Sequence, residues 1–557
     1  MLTRSLRASP LARPGCRTLA ASTRALSAGA PASPATAAHA RSLAQPWQGT
    51  SVTGSETLHL IGGEYTAGDS NRWIEVHNPA TNQVLTRVPE STPQVLTRAV
   101  DKAEEAFDQW KDSSVLKRQA VMLKFQQLIK ENHDEIARSI VLEQGKTFAD
   151  AKGDVLRGLQ VVETACGVPS LMLGDQIEVS KDMDTYMRKL PLGVVAAVCP
   201  FNFPAMIPLW AMAMATATGN SLILKPSERD PGATMILAEL MEQAGLPRGV
   251  LQVVHGTVEP VKFICEEPRI KAISFVGGDR AGKYIHETGS KHGKRVQANL
   301  GAKNHCILLP DANQNFALNS IVGAAFGAAG QRCMALSTLV TVGESQHWVD
   351  SLVERAKKLK VGEGFDPSTD VGPLITPQAK KRVEELIQSC EDEGGKILLD
   401  GRGVKVPGFE QGNFVGPTIL EATTDMRCYH THLENRRREE IFGPVLVIVK
   451  ADSLDGAIQL INKNKYGNGA SAFTQSGATA RYFEKHIEAG QVGLNVPIPV
   501  PLPMFSWSGG KGSVLGGSSL YGPRGLDFFT QLKTTTAYWR AEDALDTRAS
   551  TAMPTHN

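Results

Sequence analysis

The sequence lacks the features that define several protein classes. Its eight cysteines show neither a paired spacing nor a C-x-x-C pair, which argues against a disulfide framework and against the common zinc motifs. No repeat array and no low-complexity segment occurs. The net charge is only +2, and six arginines lie before residue 56. The remainder is therefore slightly acidic and offers no basic patch, which excludes an obvious nucleic-acid interface.

The first 55 residues contain no lysine, aspartate or glutamate, but they are rich in arginine, serine and alanine. This composition is typical of a mitochondrial transit peptide. We predict that residues 1–45 form such a peptide and that the mature protein lies in the mitochondrial matrix. A tail with no targeting role is the alternative. The cysteine pattern agrees with a matrix location.

No charged residue occurs from 190 to 224, a length that could span a bilayer. Three prolines at 200, 204 and 208 interrupt this segment. They favour a buried strand, a turn and a buried helix. We therefore predict no membrane span.

The order of apolar segments predicts an α/β protein with a mostly parallel sheet and crossover helices, divided into two or more domains because of its length. Helical periodicity marks residues 92–111 and 115–149. Short apolar runs then alternate with helices. The runs are 193–199, 221–224, 250–255 and 273–276, and the helices begin near Pro204, Pro231, Glu259 and Arg280.

A second series of apolar runs predicts a second α/β domain from about residue 300. Its runs are 305–309, 339–342, 396–399 and 445–449, separated by helical patterns at 345–359 and 378–393. Residues 495–503 have proline at alternate positions, which predicts a stiff loop. Residues 530–539 read as a strand, and the end from 541 is a polar tail.

Cys333 stands in a setting of small residues, directly after Gly330, Gln331 and Arg332. This setting indicates an exposed nucleophile, because Arg332 and the N–H groups of a glycine-rich turn are expected to lower the thiol pKa. The other seven cysteines are interpreted as small apolar residues. They are Cys16, Cys166, Cys199, Cys265, Cys306, Cys390 and Cys428.

Residues 272–283 predict a strand, a glycine turn and a helix start, a geometry that suits a cofactor phosphate. The segment nearly matches a P-loop, but Tyr284 stands where a magnesium-binding hydroxyl belongs, which disfavours an NTPase. It also fails the G-x-G-x-x-G fingerprint, so a plain strand-to-helix turn is the alternative. At 225–228, Lys225 and Glu228 follow an apolar strand, where a ribose could bind. A surface pair that caps the next helix is the alternative there.

Five segments taken together, in this order, resemble the aldehyde dehydrogenase superfamily over residues 55–540. They are 200–204, 225–228, 275–278, 330–333 and 440–444. The resemblance implies a Rossmann-like NAD-binding domain at 55–183 and 196–298 and a catalytic domain at 299–505. It also implies a small β oligomerisation element at 184–195 and 524–540, a polar tail at 541–557 and a homotetramer.

The resemblance also implies a role for each site residue. Cys333 adds to the aldehyde carbon, and Asn202 with the Cys333 N–H forms the oxyanion hole. NAD is the implied cofactor, and no metal is expected. Lys225 and Glu228 hold the adenosine ribose, Gly278 faces the pyrophosphate, and Glu440 and Phe442 position the nicotinamide ribose and ring. Cys199, Phe201 and Arg229 are further implied cofactor contacts.

Asn299 is the decisive departure from the hydrolytic members of the superfamily, which carry a glutamate at this position. That glutamate activates the water that cleaves the thioester, and an amide cannot act as a general base near pH 7. The acyl-Cys333 intermediate is therefore expected to persist until a thiol arrives, and coenzyme A is the obvious thiol in the matrix.

Three segments look most like the acylating methylmalonate-semialdehyde dehydrogenase subfamily of valine and thymine breakdown: 298–305, 330–338 and 495–503. The resemblance implies conversion of methylmalonate semialdehyde to propionyl-CoA, and of malonate semialdehyde to acetyl-CoA, with loss of carbon dioxide. The substrate carboxylate needs a cation, and the candidates are Arg332 and Arg157. A surface ion pair is the alternative for either arginine.

Two positions depart from the family pattern. The segment 429–438, which ends immediately before Glu440, is about seven residues longer than is usual in the family. Insertions of this length are tolerated best in surface loops. His430 and His432 lie there, but no third metal ligand is evident. Gly278 stands where a hydroxyl residue is common, so we expect one pyrophosphate contact to be missing.

Two rival functions remain. A hydrolytic aldehyde dehydrogenase that uses another base would not require coenzyme A. A catalytically inactive structural or RNA-binding member is disfavoured by the intact Cys333, Asn202 and Glu440 and by the lack of a basic groove.

Overall fold

Two large, mostly parallel sheets organise the part of the chain that the computed structural model describes, which is residues 47–50, 56–429, 440–517 and 519–545. The sequence alternates buried β-branched runs with helices, and such runs form strands that are covered on both faces. The transit-peptide prediction for residues 1–45 and the histidines at 430 and 432 lie outside these residues.

From β7 to β11 the strands and helices alternate along the chain, as the sequence pattern predicts. The strands are β1 (His59–Ile61), β2 (Glu64–Thr66), β3 (Trp73–His77), β4 (Val84–Pro89), β5 (Gln176–Ser180), β6 (Met183–Pro191), β7 (Val194–Val198), β8 (Ser221–Lys225), β9 (Leu251–Val253), β10 (Ile270–Val276), β11 (Arg295–Asn299), β12 (Asn304–Leu308), β13 (Leu336–Val342), β14 (Lys396–Leu399), β15 (Thr418–Glu421), β16 (Val445–Ala451), β17 (Tyr466–Gly467), β18 (Gly469–Phe473), β19 (Gln491–Leu494), β20 (Gly510–Lys511), β21 (Val514–Gly516) and β22 (Thr530–Tyr538). The α-helices are α1 (Pro93–Trp110), α2 (Val115–Glu131), α3 (His133–Gln144), α4 (Phe148–Ala165), α5 (Val168–Leu171), α6 (Met206–Ala217), α7 (Gly232–Gln243), α8 (Glu259–Glu266), α9 (Asp279–Lys291), α10 (Gln314–Phe326), α11 (Val349–Ala356), α12 (Pro377–Asp392), α13 (Leu454–Lys463), α14 (Gly477–His486) and α15 (Gly522–Phe528).

The first sheet has the strand order β2-β1-β9-β8-β7-β10-β11-β21. Its five central strands, from β9 to β11, are parallel, and the outer pairs at both sides are antiparallel. The chain moves outward from β7 through β8 to β9, and then restarts on the other side with β10. A topological switch point therefore lies between β7 and β10, and ligands bind at such points in open α/β sheets.

The second sheet has the order β14-β15-β16-β13-β12-β18-β19, in which only the β14–β15 pair is antiparallel. The predicted α/β class with two parallel sheets is confirmed. The exact boundaries of the two predicted domains stay a prediction.

The helical periodicity predicted at 115–149 is confirmed, and the chain forms two helices there and begins a third. Asn132 separates α2 from α3, and Gly145 ends α3 with a left-handed φ of 91°. Glycine adopts this conformation at low cost, and it is the usual way to end a helix. The pattern at 345–359 is shorter, since a 3₁₀ turn precedes α11.

The uncharged stretch at 190–224 contains β7, a turn, α6 and β8, as predicted. Every residue of α6 is buried in the core. Among the described residues, no helix combines the length and the apolar character needed to cross a bilayer.

A small third sheet has the order β22-β6-β5 and joins the predicted strand at 530–539 to the hairpin before β7. The loop at 495–503 contains no helix or strand, as its prolines predict, and its Ile498 and Val500 pack against the same hydrophobic core as Cys333. The short strand β21 was not predicted.

Candidate active site

The segment before Cys333 is a strained turn between α10 and β13. Ala328, Ala329 and Gly330 have φ values of 50°, 52° and 68°, which is left-handed backbone that costs energy at the two alanines. A Cβ atom on Gly330 would lie 2.0 Å from the Gly443 carbonyl oxygen. Only glycine fits there, and the turn is thereby packed against the segment 440–444.

Cys333 is half-buried rather than exposed, and it packs against the core with Phe203. Burial, followed by the charge of Glu440, raises the pKa of the Cys333 thiol to about 12. The N–H groups of Cys333 and Met334 lower that pKa, and Arg332 lowers it least. The prediction that Arg332 yields a low thiol pKa is therefore wrong in its net effect, because desolvation of the thiolate outweighs the cation.

Asn202 lies close to the Cys333 turn, as predicted. Its Nδ2 donates to the Gln331 carbonyl oxygen at 3.0 Å, which leaves one amide hydrogen for a substrate oxygen. The side chain is buried, so this donor acts in a medium of low dielectric constant. The arrangement can stabilise an oxyanion formed beside Cys333.

A buried ion pair, which no sequence pattern indicated, fixes the backbone of Asn202. Lys146 Nζ donates to the Asn202 carbonyl oxygen at 2.7 Å and to Asp154 Oδ2 at 3.0 Å, and both charged side chains are fully buried. Asp154 Oδ1 accepts from the N–H of Met206 at the start of α6. In the sequence, Lys146 is visible only as a lysine that follows Gly145, the residue that ends α3.

Asn299 ends β11 and is buried. The Trp507 indole N–H donates to Asn299 Oδ1 at 3.4 Å. The Asn299 backbone oxygen accepts from the N–H of Gly277, so the backbone of Asn299 lies beside the glycine turn that follows β10. Trp507 was not identified from the sequence, because its partner is far away along the chain.

The residues that were predicted to bind the adenosine ribose lie at the end of β8 and directly after it. Lys225 is buried, and its Nζ donates to the Pro226 carbonyl oxygen at 2.8 Å and lies 3.5 Å from Glu228 Oε2. Arg229 is more exposed and lies 3.7 Å from Glu228 Oε1. Cys199 is buried below this edge, its N–H donates to the Lys225 carbonyl oxygen, and burial raises its thiol pKa to about 12.

The turn that could hold a pyrophosphate follows β10 at the switch point. Gly278 is the N-cap residue of α9, and a Cβ atom there would meet no atom within 4 Å. The helix N-terminus offers free N–H groups to an anion. The carboxylate of Asp279, in the first turn, is already engaged, because it accepts from the Gly301 N–H and pairs with Lys465. The open turn therefore leaves room for a phosphate group beside the N-terminus of α9.

The segment 440–444 supplies the last predicted cofactor contacts. The Phe442 ring lies edge-on to Phe201 at 5.8 Å, and the φ of Phe442 is 49°. Burial, then the charge of Asp279, raises the pKa of Glu440 to about 8. Arg382 on α12, which was not predicted from the sequence, donates to the carbonyl oxygens of Glu440 at 2.6 Å and Ile441 at 3.0 Å.

The two predicted substrate arginines have different partners. Arg332 pairs with the carboxylate of Asp150 on α4. Arg157 Nη2 donates to the carbonyl oxygens of Val500 and Pro501 at 3.1 Å each, and its Nη1 donates to Gln160. An ion pair is therefore present at Arg332, whereas Arg157 is held by the proline-rich loop.

No group of three potential metal ligands occurs in the parts of the chain that are described. His305 is buried beside Tyr429, whose hydroxyl oxygen lies 3.0 Å from His305 Nε2. Burial lowers the pKa of His305 to about 3. This histidine is therefore neutral at physiological pH.

Asn202 is bonded to the backbone of the turn that carries Cys333, and the first sheet has a switch point of the kind at which nucleotides bind in open α/β sheets. The model of the aldehyde dehydrogenase family matches residues 65–535, and the chain belongs to this family. It is 56% identical over 514 residues to the mitochondrial acylating methylmalonate-semialdehyde/malonate-semialdehyde dehydrogenase of Bos taurus, covering 92% of this chain and 94% of that protein.

Two further relatives agree. The enzyme of the same name from Homo sapiens is 57% identical over 498 residues, which cover 89% of this chain and 92% of that protein. A crystal structure from Sinorhizobium meliloti 1021, assigned as a methylmalonate-semialdehyde dehydrogenase complexed with NAD, is 41% identical with a TM-score of 0.85. The match covers 88% of this chain and 99% of that chain. The predicted family and fold are confirmed.

Proposed function

We propose that the protein is an NAD-dependent, coenzyme A-acylating dehydrogenase that converts methylmalonate semialdehyde to propionyl-CoA and malonate semialdehyde to acetyl-CoA. The observation that carries this proposal is Asn299, an amide whose oxygen is bound to Trp507 at 3.4 Å. Neither end of this side chain can remove a proton from water near pH 7. The relatives named acylating support the same conclusion.

The cofactor would be held across the switch point by the residues described above. Lys225 and Glu228 would bind the adenosine ribose, Gly278 and the start of α9 the pyrophosphate, and Glu440 and Phe442 the nicotinamide half. When bound, NAD supplies a hydride acceptor and a positive charge that favours the thiolate. A carboxylate at Glu228 would disfavour the extra phosphate of NADP.

The Cys333 sulfur would attack the aldehyde carbon after loss of its proton. The oxygen that becomes negative would accept from the Asn202 amide and the Cys333 N–H. Lys146 serves this step indirectly, because it holds the Asn202 carbonyl oxygen at 2.7 Å and so fixes the residue that carries the donor. Loss of hydride from the adduct leaves an acyl-Cys333 thioester.

The substrate carboxylate would be bound by Arg157 and Arg332, since a guanidinium can donate two parallel hydrogen bonds to it. Arg157 is fixed by the loop at 495–503, and its side chain stays only partly buried. After oxidation, cleavage of the bond to the carboxylate releases carbon dioxide and leaves an enolate that the same oxyanion hole would stabilise. Protonation gives propionyl-Cys333, and the coenzyme A thiolate then displaces Cys333.

The mitochondrial relatives and the arginine-rich N-terminal sequence support a proposal for the location of the protein. We place the protein in the mitochondrial matrix, with residues 1–45 as transit peptide, in valine and pyrimidine breakdown. We also propose a homotetramer assembled through the β22-β6-β5 sheet. The edge strands of this sheet, β22 and β5, each carry a row of backbone N–H and carbonyl groups that can pair with another copy of the chain.

The experiment that tests this function is steady-state turnover of methylmalonate semialdehyde and NAD by the purified protein, with and without coenzyme A. NADH, carbon dioxide and acyl products are followed together. We expect turnover that requires coenzyme A, with propionyl-CoA and carbon dioxide formed in equal amounts. Propanal, which lacks the carboxylate, should react poorly and release no carbon dioxide. Equal turnover without coenzyme A, ending in a free acid, would identify a hydrolytic dehydrogenase instead.

A further inference from the structure

The side-chain amide of Asn299 is held from one end only. Its Oδ1 accepts from the Trp507 indole N–H at 3.4 Å, and the two side chains are 2% and 1% exposed. Its Nδ2 has no hydrogen-bond partner among the described residues, although it is buried. Buried donors are almost always paired, because an unpaired one has lost its bonds to water. The N–H groups of this amide are therefore free to donate to an acceptor that the described residues do not supply.

Trp507 is itself fixed by a cluster of aromatic rings. Its ring centroid lies 5.4 Å from that of Trp210 and 6.2 Å from that of Tyr521. An indole locked by packing presents its N–H in one direction. Asn299 can therefore keep its oxygen bound only if its amide stays in one of its two orientations.

The same cluster reaches the predicted substrate site. The Tyr521 hydroxyl donates to the Pro501 carbonyl oxygen at 2.8 Å, and Arg157 Nη2 donates to that same oxygen. Burial raises the pKa of Tyr521, with Arg157 lowering it and Cys333 raising it further, so the hydroxyl lies within the electrostatic field of both. The cluster thus connects Asn299 with the residues around the acyl group.

We propose that Trp507 is a positioning residue that fixes the Asn299 amide with its oxygen bound and its N–H groups free, and so favours a thiol over water as acyl acceptor. The inference rests on the proposed function. An N–H group binds a thiolate sulfur or a thioester oxygen, but it cannot accept a hydrogen from water. Without the indole N–H the amide can turn, and its oxygen can then bind a water molecule next to the thioester.

The test is Trp507→Phe, which keeps an aromatic ring in the cluster and removes the N–H donor. The measured quantity is the ratio of propionyl-CoA to free propionate at fixed coenzyme A. We expect this ratio to fall about fivefold, the effect of one neutral hydrogen bond, and the KM for coenzyme A to rise. The NADH burst, which precedes acyl transfer, should keep its rate. Trp507→Leu, which also lacks a hydrogen-bond donor, provides a second variant, should the first fail to fold.

Trp210→Phe is the matched control, because it makes the same exchange in the same cluster without a bond to Asn299. A double-mutant cycle with Asn299→Ala separates positioning from packing, since Trp507→Phe should have no further effect once the amide is gone. The proposal is overturned if folded Trp507→Phe keeps the wild-type ratio, if Trp210→Phe changes it equally, or if the Trp507 effect survives in Asn299→Ala. A wild-type enzyme that needs no coenzyme A would instead contradict the proposed function.

Discussion

At the residue scale, the position of Asn299 predicts the fate of the thioester. Asn299→Glu places a carboxylate beside the acyl group, and a positioned general base contributes about 100-fold or more to such a hydrolysis. We expect free-acid formation without coenzyme A to rise by about that factor. Asn299→Gln, which keeps the amide, is the control and should stay dependent on coenzyme A. If Asn299→Glu gives no rise in hydrolysis, the account of Asn299 is wrong.

The raised pKa of the Cys333 thiol, about 12, predicts its reactivity without NAD. Only the thiolate reacts with iodoacetamide, and its fraction rises about tenfold per pH unit below the pKa. Alkylation of Cys333, followed by peptide mass spectrometry, should therefore keep rising from pH 7 to pH 9.5 without a plateau. Addition of NAD should make it faster at pH 7. A plateau below pH 8 in the enzyme alone would contradict this result.

Residue types and their local setting were visible in the sequence, but their partners were not. The small residues around Cys333 made it the predicted nucleophile, which stays a prediction, whereas its raised pKa could not be foreseen, since desolvation depends on the packed surroundings. The partner of Asn299 lies 208 positions away, and Lys146 contacts Asn202 across 56 positions. Hydrogen bonds over such separations leave no spacing pattern in a sequence.

At the scale of elements, α12 holds the segment 440–444 through the two hydrogen bonds of Arg382. Arg382→Gln removes this fork, and we expect the KM for NAD to rise about fivefold while the melting temperature changes little. The reason is that Glu440 and Phe442 lose the contact that fixes their backbone. Lys381→Met, an exposed neighbour on the same helix, is the control. An unchanged KM for NAD in Arg382→Gln would show that the segment is fixed by other contacts.

The central strands of the two large sheets and the helices between them could largely be predicted because their signals are local. The runs that became β7, β8 and β10 are continuous and apolar, as strands buried on both faces must be. The exceptions depended on contacts made by the fold. The strand β21 lies in a glycine-rich segment, and it forms only because β11 offers an edge for antiparallel pairing. The break at Asn132 could not be seen, because apolar residues continue on both sides of it.

At the scale of the whole molecule, the β22-β6-β5 sheet leaves large apolar side chains in solvent. Leu532 on β22 is 61% exposed, and Trp539, the residue directly after β22, is 78% exposed. We expect wild-type protein to sediment as a tetramer and Leu532→Asp to yield smaller species, because a charge on that strand would be desolvated in an interface. Lys533→Gln on the same strand is the control. A monomeric wild type, or an unchanged mass for Leu532→Asp, would contradict the proposed assembly.

The central claim is that acyl-Cys333 waits for a thiol, and intact-protein mass spectrometry in a single turnover tests it most directly. Enzyme is mixed with NAD and methylmalonate semialdehyde without coenzyme A, and its mass is followed with NADH formation. The account predicts one NADH and one propionyl group per active site, both stable until coenzyme A is added, when the adduct leaves as propionyl-CoA. Continued NADH formation with no adduct on Cys333 would contradict it.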